Sequence, residues 1–163
     1  MTIRALAEAD LDWVLALNKI HEEALSPLTR PELARLVETA FCALVAEPQA
    51  GFLLTFDETA AYDSPNFLWF KARYPRFAYI DRIAISTDHR RQGHAEALYR
   101  AFFQAARQTG HSHAVCEVNS DPPNPGSDRF HTALGFAEVG EAQLPARGKS
   151  VRYYALNLGS ERA

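Results

Sequence analysis

The stretch RRQGHA, residues 90–95, divides the strongest strand pattern in the chain from its longest amphipathic helix pattern. Upstream, RFAYIDRIAIS (residues 76–86) alternates along a pleat, with Tyr79, Asp81, Ile83 and Ile85 expected on one side and Ile80, Arg82 and Ala84 on the other. Downstream, from about Gly93 to Thr109, Ala95, Leu98, Tyr99, Phe102 and Ala106 recur at helical spacing, and Gly110 follows as a stop. A turn from strand into helix leaves the first-turn amides without intrahelical partners, at the positive end of the helix dipole. Gly93 has no side chain to hold a ligand off that backbone, Ala95 has the next smallest, and Arg90 and Arg91 add charged donors. The stretch therefore has the makings of a phosphate-binding turn, against the plainer reading of an ordinary turn with two solvated arginines. It lacks the lysine and hydroxyl of GxxxxGK(S/T), and it is not GxGxxG, so neither a nucleoside triphosphate loop nor a dinucleotide fingerprint is expected.

Working outward, TIRAL reads as a short strand, and Leu11, Val14, Leu15 and Asn18 begin a helix that Asp10 could cap. Thr29 and Glu32 form a capping box with Pro31 in the first turn of a second helix. FCALVAE and GFLLTFD, separated by PQA, read as a hairpin. The stretch ETAAYDSPNFLWFKARYP reads as a long, aromatic connection of the kind that carries function. HAVCEV is a further strand, DPPNPG a loop, SDRFHTAL a short helix stopped by Gly135, and FAEVG and VRYYALNL the last two strands. This order predicts an α/β domain with a mixed sheet and helices on both faces. The length suits one domain over residues 1–163.

A net charge of −3 lacks the basic footprint of a duplex-binding protein, so nucleic acid is not an expected partner. No apolar run reaches the roughly 20 residues that span a bilayer, and no secretory-signal pattern opens the chain, so neither a membrane partner nor export is expected and the expected location is cytoplasmic. Cys42 and Cys116 lie in apolar stretches without metal-ligand spacing and read as two buried thiols. His111 and His113 follow a helix end and read as surface residues, and no metal site is expected.

RRQGHA also resembles R/Q-x-x-G-x-G/A, the pyrophosphate loop of the GNAT superfamily of acyl-coenzyme A dependent N-acyltransferases. NPGSDRFHTALGF (residues 124–136) resembles that superfamily's later signature, N-x-x-A-x-x-F/L-Y-x-x-L-G-F, with Ser127 in place of alanine and His131 in place of tyrosine. The opening TIRALAEADLDWVLALN is similar to the usual start of these domains. AYDSPNF and DPPNPGS resemble a bacterial subgroup of predicted GNAT acetyltransferases. The resemblance implies a central, mostly antiparallel sheet splayed between its fourth and fifth strands, with acetyl-CoA lying in the opening. It implies that backbone groups of Ile83, Ala84 and Ile85 pair with the pantetheine arm. The turn residues Arg90, Arg91, Gln92, Gly93, His94 and Ala95 would hold the pyrophosphate, and Asn124 and Ser127 would approach the arm from the other side.

The implied activity is transfer of an acetyl group to a primary amine by direct attack in a ternary complex. A small-molecule acceptor is expected; the alternatives are a peptide or protein amine, or a non-catalytic acyl-CoA sensor. Such an amine, with a pKa of about 10, needs a base. Asp81 is the first candidate because a carboxylate in an apolar strand demands an explanation, and Glu117 is the second; each could instead be a structural partner of a cation such as Arg82. His131 replaces the tyrosine that usually returns the proton to coenzyme A, against the plainer reading of a structural helix residue. Glu22, Asp63, Tyr62, Phe67, Trp69 and Tyr79 would suit a cationic acceptor through charge and cation–π contact, against the plainer reading of a solvated helix end and an aromatic minicore. A homodimer through the late strands, common in relatives, is possible on this reading.

Overall fold

The computed structural model describes residues 2–159. Seven strands, β1 (Thr2–Ala5), β2 (Cys42–Glu47), β3 (Gly51–Asp57), β4 (Phe77–Ile85), β5 (His113–Asp121), β6 (Ala137–Leu144) and β7 (Lys149–Asn157), form one sheet in the order β1-β2-β3-β4-β5-β7-β6. Every neighbouring pair is antiparallel except β4 and β5. That parallel pair is also the shortest in proportion to its strands. It runs only from Phe77 opposite His113 to Tyr79 opposite Val115, after which the two strands part. The expected mixed, splayed sheet is therefore the observed one. No helix among the described residues is long and apolar enough to cross a membrane.

Among the described residues six α-helices cover the two faces: α1 (Leu11–Ile20), α2 (Glu22–Leu25), α3 (Arg30–Thr39), α4 (Pro65–Lys71), α5 (His94–Gln108) and α6 (Pro125–Ala133). The α5 stripe of Leu98, Tyr99, Phe102, Phe103 and Ala106 is buried against Leu53, Ala78, Ile80 and Ala114, with Phe130 of α6 alongside. Each large side chain so buried contributes about 1.5–3 kcal/mol, more than helix propensity supplies over the same turns. On the opposite face, Leu11, Val14 and Leu17 of α1 and Leu33 of α3 pack on Phe52 and Leu54, while Phe67 and Phe70 of α4 pack on Phe56, Phe77 and Tyr79. At the foot of this sheet Gly51 passes so close to β4 that a methyl group would lie 2.7 Å from the Ala84 carbonyl oxygen, which leaves glycine alone able to fit.

Four sequence expectations need correction. The pairing of β3 with β4 slips between Leu54 opposite Arg82 and Thr55 opposite Ile80, so Asp81 is an extra, bulged residue. Alternation restarts beyond it, and Ile83 and Ile85 join Ile80 and Ala78 on the α5 face instead of sharing a side with Tyr79. The aromatic connection contains a helix, α4, because Pro65 sits in its first turn and Phe67 and Phe70 supply a buried stripe too short to stand out as periodic. Asp10 does not cap α1 with its side chain. Its carboxylate instead accepts from the Ala7 amide at 2.9 Å, Trp13 Nε1 at 2.9 Å and Arg4 Nη1 at 2.7 Å, an environment that holds it well below the usual carboxylate range. His111 is buried, not on the surface: it meets Phe41 edge-on, approaches Asp57 Oδ2 at 3.3 Å and lies beside Glu58. The capping box of Thr29 and Glu32 is present as expected. Cys42 and Cys116 are free thiols, the first half-buried and the second buried.

Candidate active site

The turn after β4 is built on left-handed backbone. Gly93 has φ +84° and Arg91 φ +62°, and α5 starts at the next residue, His94. The first helical hydrogen bond runs from the Ala97 amide to the Gly93 carbonyl at 3.0 Å, so the amides of His94, Ala95 and Glu96 have no intrahelical carbonyl to meet. A cavity of about 580 Å³ opens in front of them, lined by Ile83, Ile85, Arg90, Arg91, Gly93 and Ala95 among others. Ala84, His94 and Ser127 also reach it, whereas Gln92 does not. Neither Arg90 nor Arg91 forms a salt bridge among the described residues. The Nδ1 atoms of His89 and His94, whose rings meet edge-on at 5.7 Å, are buried without a hydrogen-bond partner. Free first-turn amides, two arginines without a carboxylate partner among the described residues and orphaned imidazole nitrogens are what a diphosphate-bearing ligand would satisfy, so these residues fit the cofactor that the turn implies.

The gap between β4 and β5 forms a second cavity of about 270 Å³, which shares Ile83, Ser127 and His21 with the first. Asn124 lines it while its Oδ1 caps α6 by accepting from the Ser127 amide at 3.2 Å. His131, on α6, faces this gap but is only 5% exposed. Its Nδ1 lies 2.8 Å from the Ser127 carbonyl, which can only accept, so the proton is on Nδ1 and Nε2 accepts from the Tyr99 hydroxyl at 2.8 Å. Burial lowers the His131 pKa and raises that of Tyr99, which keeps both groups neutral. The Cys116 thiol borders the same gap, and burial pushes its pKa up, so it is a poor nucleophile.

A third cavity of about 340 Å³ lies on the α1–α4 side of the sheet and shares Asp81, Arg82, Glu117 and Asn119 with the gap. The two carboxylates differ sharply in environment. Asp81 is committed: Oδ1 accepts from the Tyr62 hydroxyl at 2.5 Å and Oδ2 from Arg82 Nε at 2.8 Å, with both charged side chains almost fully buried. Arg82 is in turn held by Asn18 Oδ1 at 3.0 Å. Among the described residues Glu117 forms no salt bridge. It accepts from the Tyr79 hydroxyl at 2.8 Å, and burial, with the Asp81 charge adding to it, pushes its pKa up to about 7.

Of the residues that the sequence suggested for the acceptor, Tyr62 and Tyr79 line the third cavity and Glu22, Asp63, Phe67 and Trp69 do not. Phe67 is fully buried in an aromatic cluster with Tyr62, Phe77 and Tyr79. Trp69 stacks on Tyr153 at 4.2 Å and lies against Gly140. Residues Ala24–Leu28 and Tyr62, Ser64 and Asn66 form part of this wall, and Arg35 of α3, Arg147 of the turn from β6 to β7 and Lys149 at the start of β7 complete it. Nothing in the spacing of those three cations marks them, because they come from separate elements. Asn66, oriented by the Tyr153 hydroxyl at 2.8 Å, was legible only as part of a connection, and Tyr99 only as a residue of the buried helix stripe.

The profile of the acetyltransferase (GNAT) family matches residues 17–136. No curated protein matches the chain by sequence. Among solved structures, the ribosomal-protein-S18-alanine N-acetyltransferase of Escherichia coli is similar at a TM-score of 0.70 and 20% identity, over 99% of this chain and 97% of that one. Salmonella typhimurium yncA, solved with its cofactor acetyl-CoA, is similar at 0.75 and 19%, over 100% and 96%. Chaetomium thermophilum Naa20, in complex with a bisubstrate analogue, is similar at 0.74 and 15%, over 96% and 86%. The family profile spans most of the chain, including both the turn before α5 and the signature through α6, and on that basis this protein belongs to the acetyltransferase (GNAT) family, which uses acetyl-CoA.

Proposed function

We propose that this protein transfers an acetyl group from acetyl-CoA to the primary amine of a small molecule by direct attack in a ternary complex, with Glu117 as the base. The observation that carries the reading is the position of Glu117 in the wall common to the third cavity and the β4–β5 gap, as a carboxyl whose pKa is raised to about 7 and which forms no salt bridge among the described residues. Bound acetyl-CoA supplies an activated thioester. The amides of His94 and Ala95, with Arg90 and Arg91, would hold its diphosphate. The β4 edge from Ile83 to Ile85, unpaired on the β5 side, and Asn124 would hold its pantetheine arm.

On the acceptor side, the ionised Glu117 takes a proton from an arriving ammonium group and leaves a neutral amine. Asp81, which stood first on sequence grounds, serves instead to fix Arg82 and Tyr62 in the cavity wall. On the cofactor side, the Tyr99 hydroxyl and His131 Nε2 hold one proton between them, so the pair supplies what a single tyrosine supplies in relatives. A cavity of about 340 Å³, with Pro27, Leu28 and Leu144 among its walls, suits a ligand the size of a small metabolite.

Initial rates of thiol release from acetyl-CoA, measured across a panel of primary amines, test this. A ternary-complex enzyme gives intersecting double-reciprocal lines and no acetylated protein by intact mass. Parallel lines with an acetyl-protein adduct, or no turnover with any amine, would contradict it.

A further inference from the structure

The third cavity is electrically divided. Its inner wall carries Glu117 and the ion pair of Asp81 with Arg82. Its mouth carries Arg35 on α3, Arg147 in the β6–β7 turn and Lys149 at the start of β7. Between them stand apolar walls from Leu25, Leu36 and Val151. Among the described residues none of the three mouth cations forms a salt bridge. Lys149 Nζ reaches only the Glu23 carbonyl, at 3.4 Å. Glu32 also lines the cavity; its carboxylate caps α3, accepting from the Thr29 amide at 2.8 Å, and offsets part of the charge of Arg35.

We infer that the acceptor is a small amine bearing an anionic group, a carboxylate or a phosphate, at the end remote from the reacting nitrogen. The inference rests on the acetyl-transfer reading above and adds to it the acceptor's second charge. Three cations against one carboxylate leave the mouth net positive, so an entering ammonium is repelled there unless an attached anion offsets the repulsion, and the same anion gives the cations a charged partner. A plain alkylamine gains nothing from the mouth. A diamine places its second ammonium against the cations.

The test compares kcat/KM for ω-amino carboxylates, aminoalkyl phosphates, alkylamines and diamines in series of matched chain length. The anionic amines should exceed the diamines by at least about tenfold, the worth of one charge-assisted contact, with the difference mostly in KM. The carboxylate and phosphate arms show which anion is taken. In an Arg147→Glu, Lys149→Glu variant, checked for folding by circular dichroism, the preference should shrink or reverse toward diamines; Arg35→Gln provides a milder second variant. Equal or better turnover of diamines by the unaltered enzyme would overturn the inference while leaving the acetyl-transfer reading intact. Calorimetric titration of the same amines into the protein with coenzyme A present separates the two ideas further. If no amine turns over, the catalytic reading fails, and tighter binding of the anionic amines would still support this inference. Binding without preference, or no binding, would overturn it.

Discussion

Replacing Glu117 with glutamine should lower kcat by about 10²–10⁴-fold at neutral pH, the usual contribution of a positioned base. The pH dependence carries more information than the magnitude. The base works only when ionised, and its pKa is raised to about 7, so kcat/KM of the unaltered enzyme should climb with pH through about 7 and then level off. Glutamine cannot titrate, and that limb should vanish in the variant. A limb that survives in Glu117→Gln and disappears in Asp81→Asn would transfer the role to Asp81. The raised pKa has a second consequence, for stability. Burial favours the protonated form in the native state, so the fold loses stability as pH rises from about 4.5, the ordinary value, through about 7. The site is thus least stable where its base is most active, a trade that functional carboxylates often make.

Gly93→Glu should weaken acetyl-CoA binding by at least about 100-fold in calorimetry. Two effects act together. At φ +84° any side chain is strained, and a carboxylate placed before the free amides of α5 would repel a diphosphate from the donors meant for it. Gly93→Asn separates these contributions, because asparagine tolerates left-handed backbone and adds no charge; its loss should be clearly smaller. Equal affinity in all three proteins would remove the turn from the cofactor site.

How much of this was legible beforehand follows from the range of each signal. The turn at residues 90–95 and the signature at residues 124–136 are local, and local patterns survive in sequence: the splayed β4–β5 pair and the start of α5 stand where the motifs imply, while α6 begins two residues earlier than expected, with Asn124 as its cap. The bulge at Asp81 is not local. It depends on how β3 pairs with β4, and missing it placed Ile83 and Ile85 on the wrong face of the strand. The ranking of Asp81 above Glu117 had a similar origin. Both are carboxylates in apolar strands, and only the neighbours gathered from elsewhere distinguish them: Tyr62 and Arg82 around one, Tyr79 around the other. The aromatic residues of 61–72 looked like a pocket wall because an exposed cation–π surface and a buried aromatic cluster share one composition. Packing of α4 on Phe56, Phe77 and Tyr79 decided for the cluster at Phe67 and Phe70.

A crystal structure with coenzyme A bound is the most direct test of the central claim, that the amides opening α5 and the parted edge of β4 hold the cofactor so that its sulfur lies in the gap beside Glu117. The account predicts the diphosphate within hydrogen-bond distance of the His94 and Ala95 amides, the pantetheine arm paired with the backbone of Ile83–Ile85, and the thiol between Glu117 and Tyr99. A diphosphate seated elsewhere, or a thiol pointing away from that gap, would contradict it.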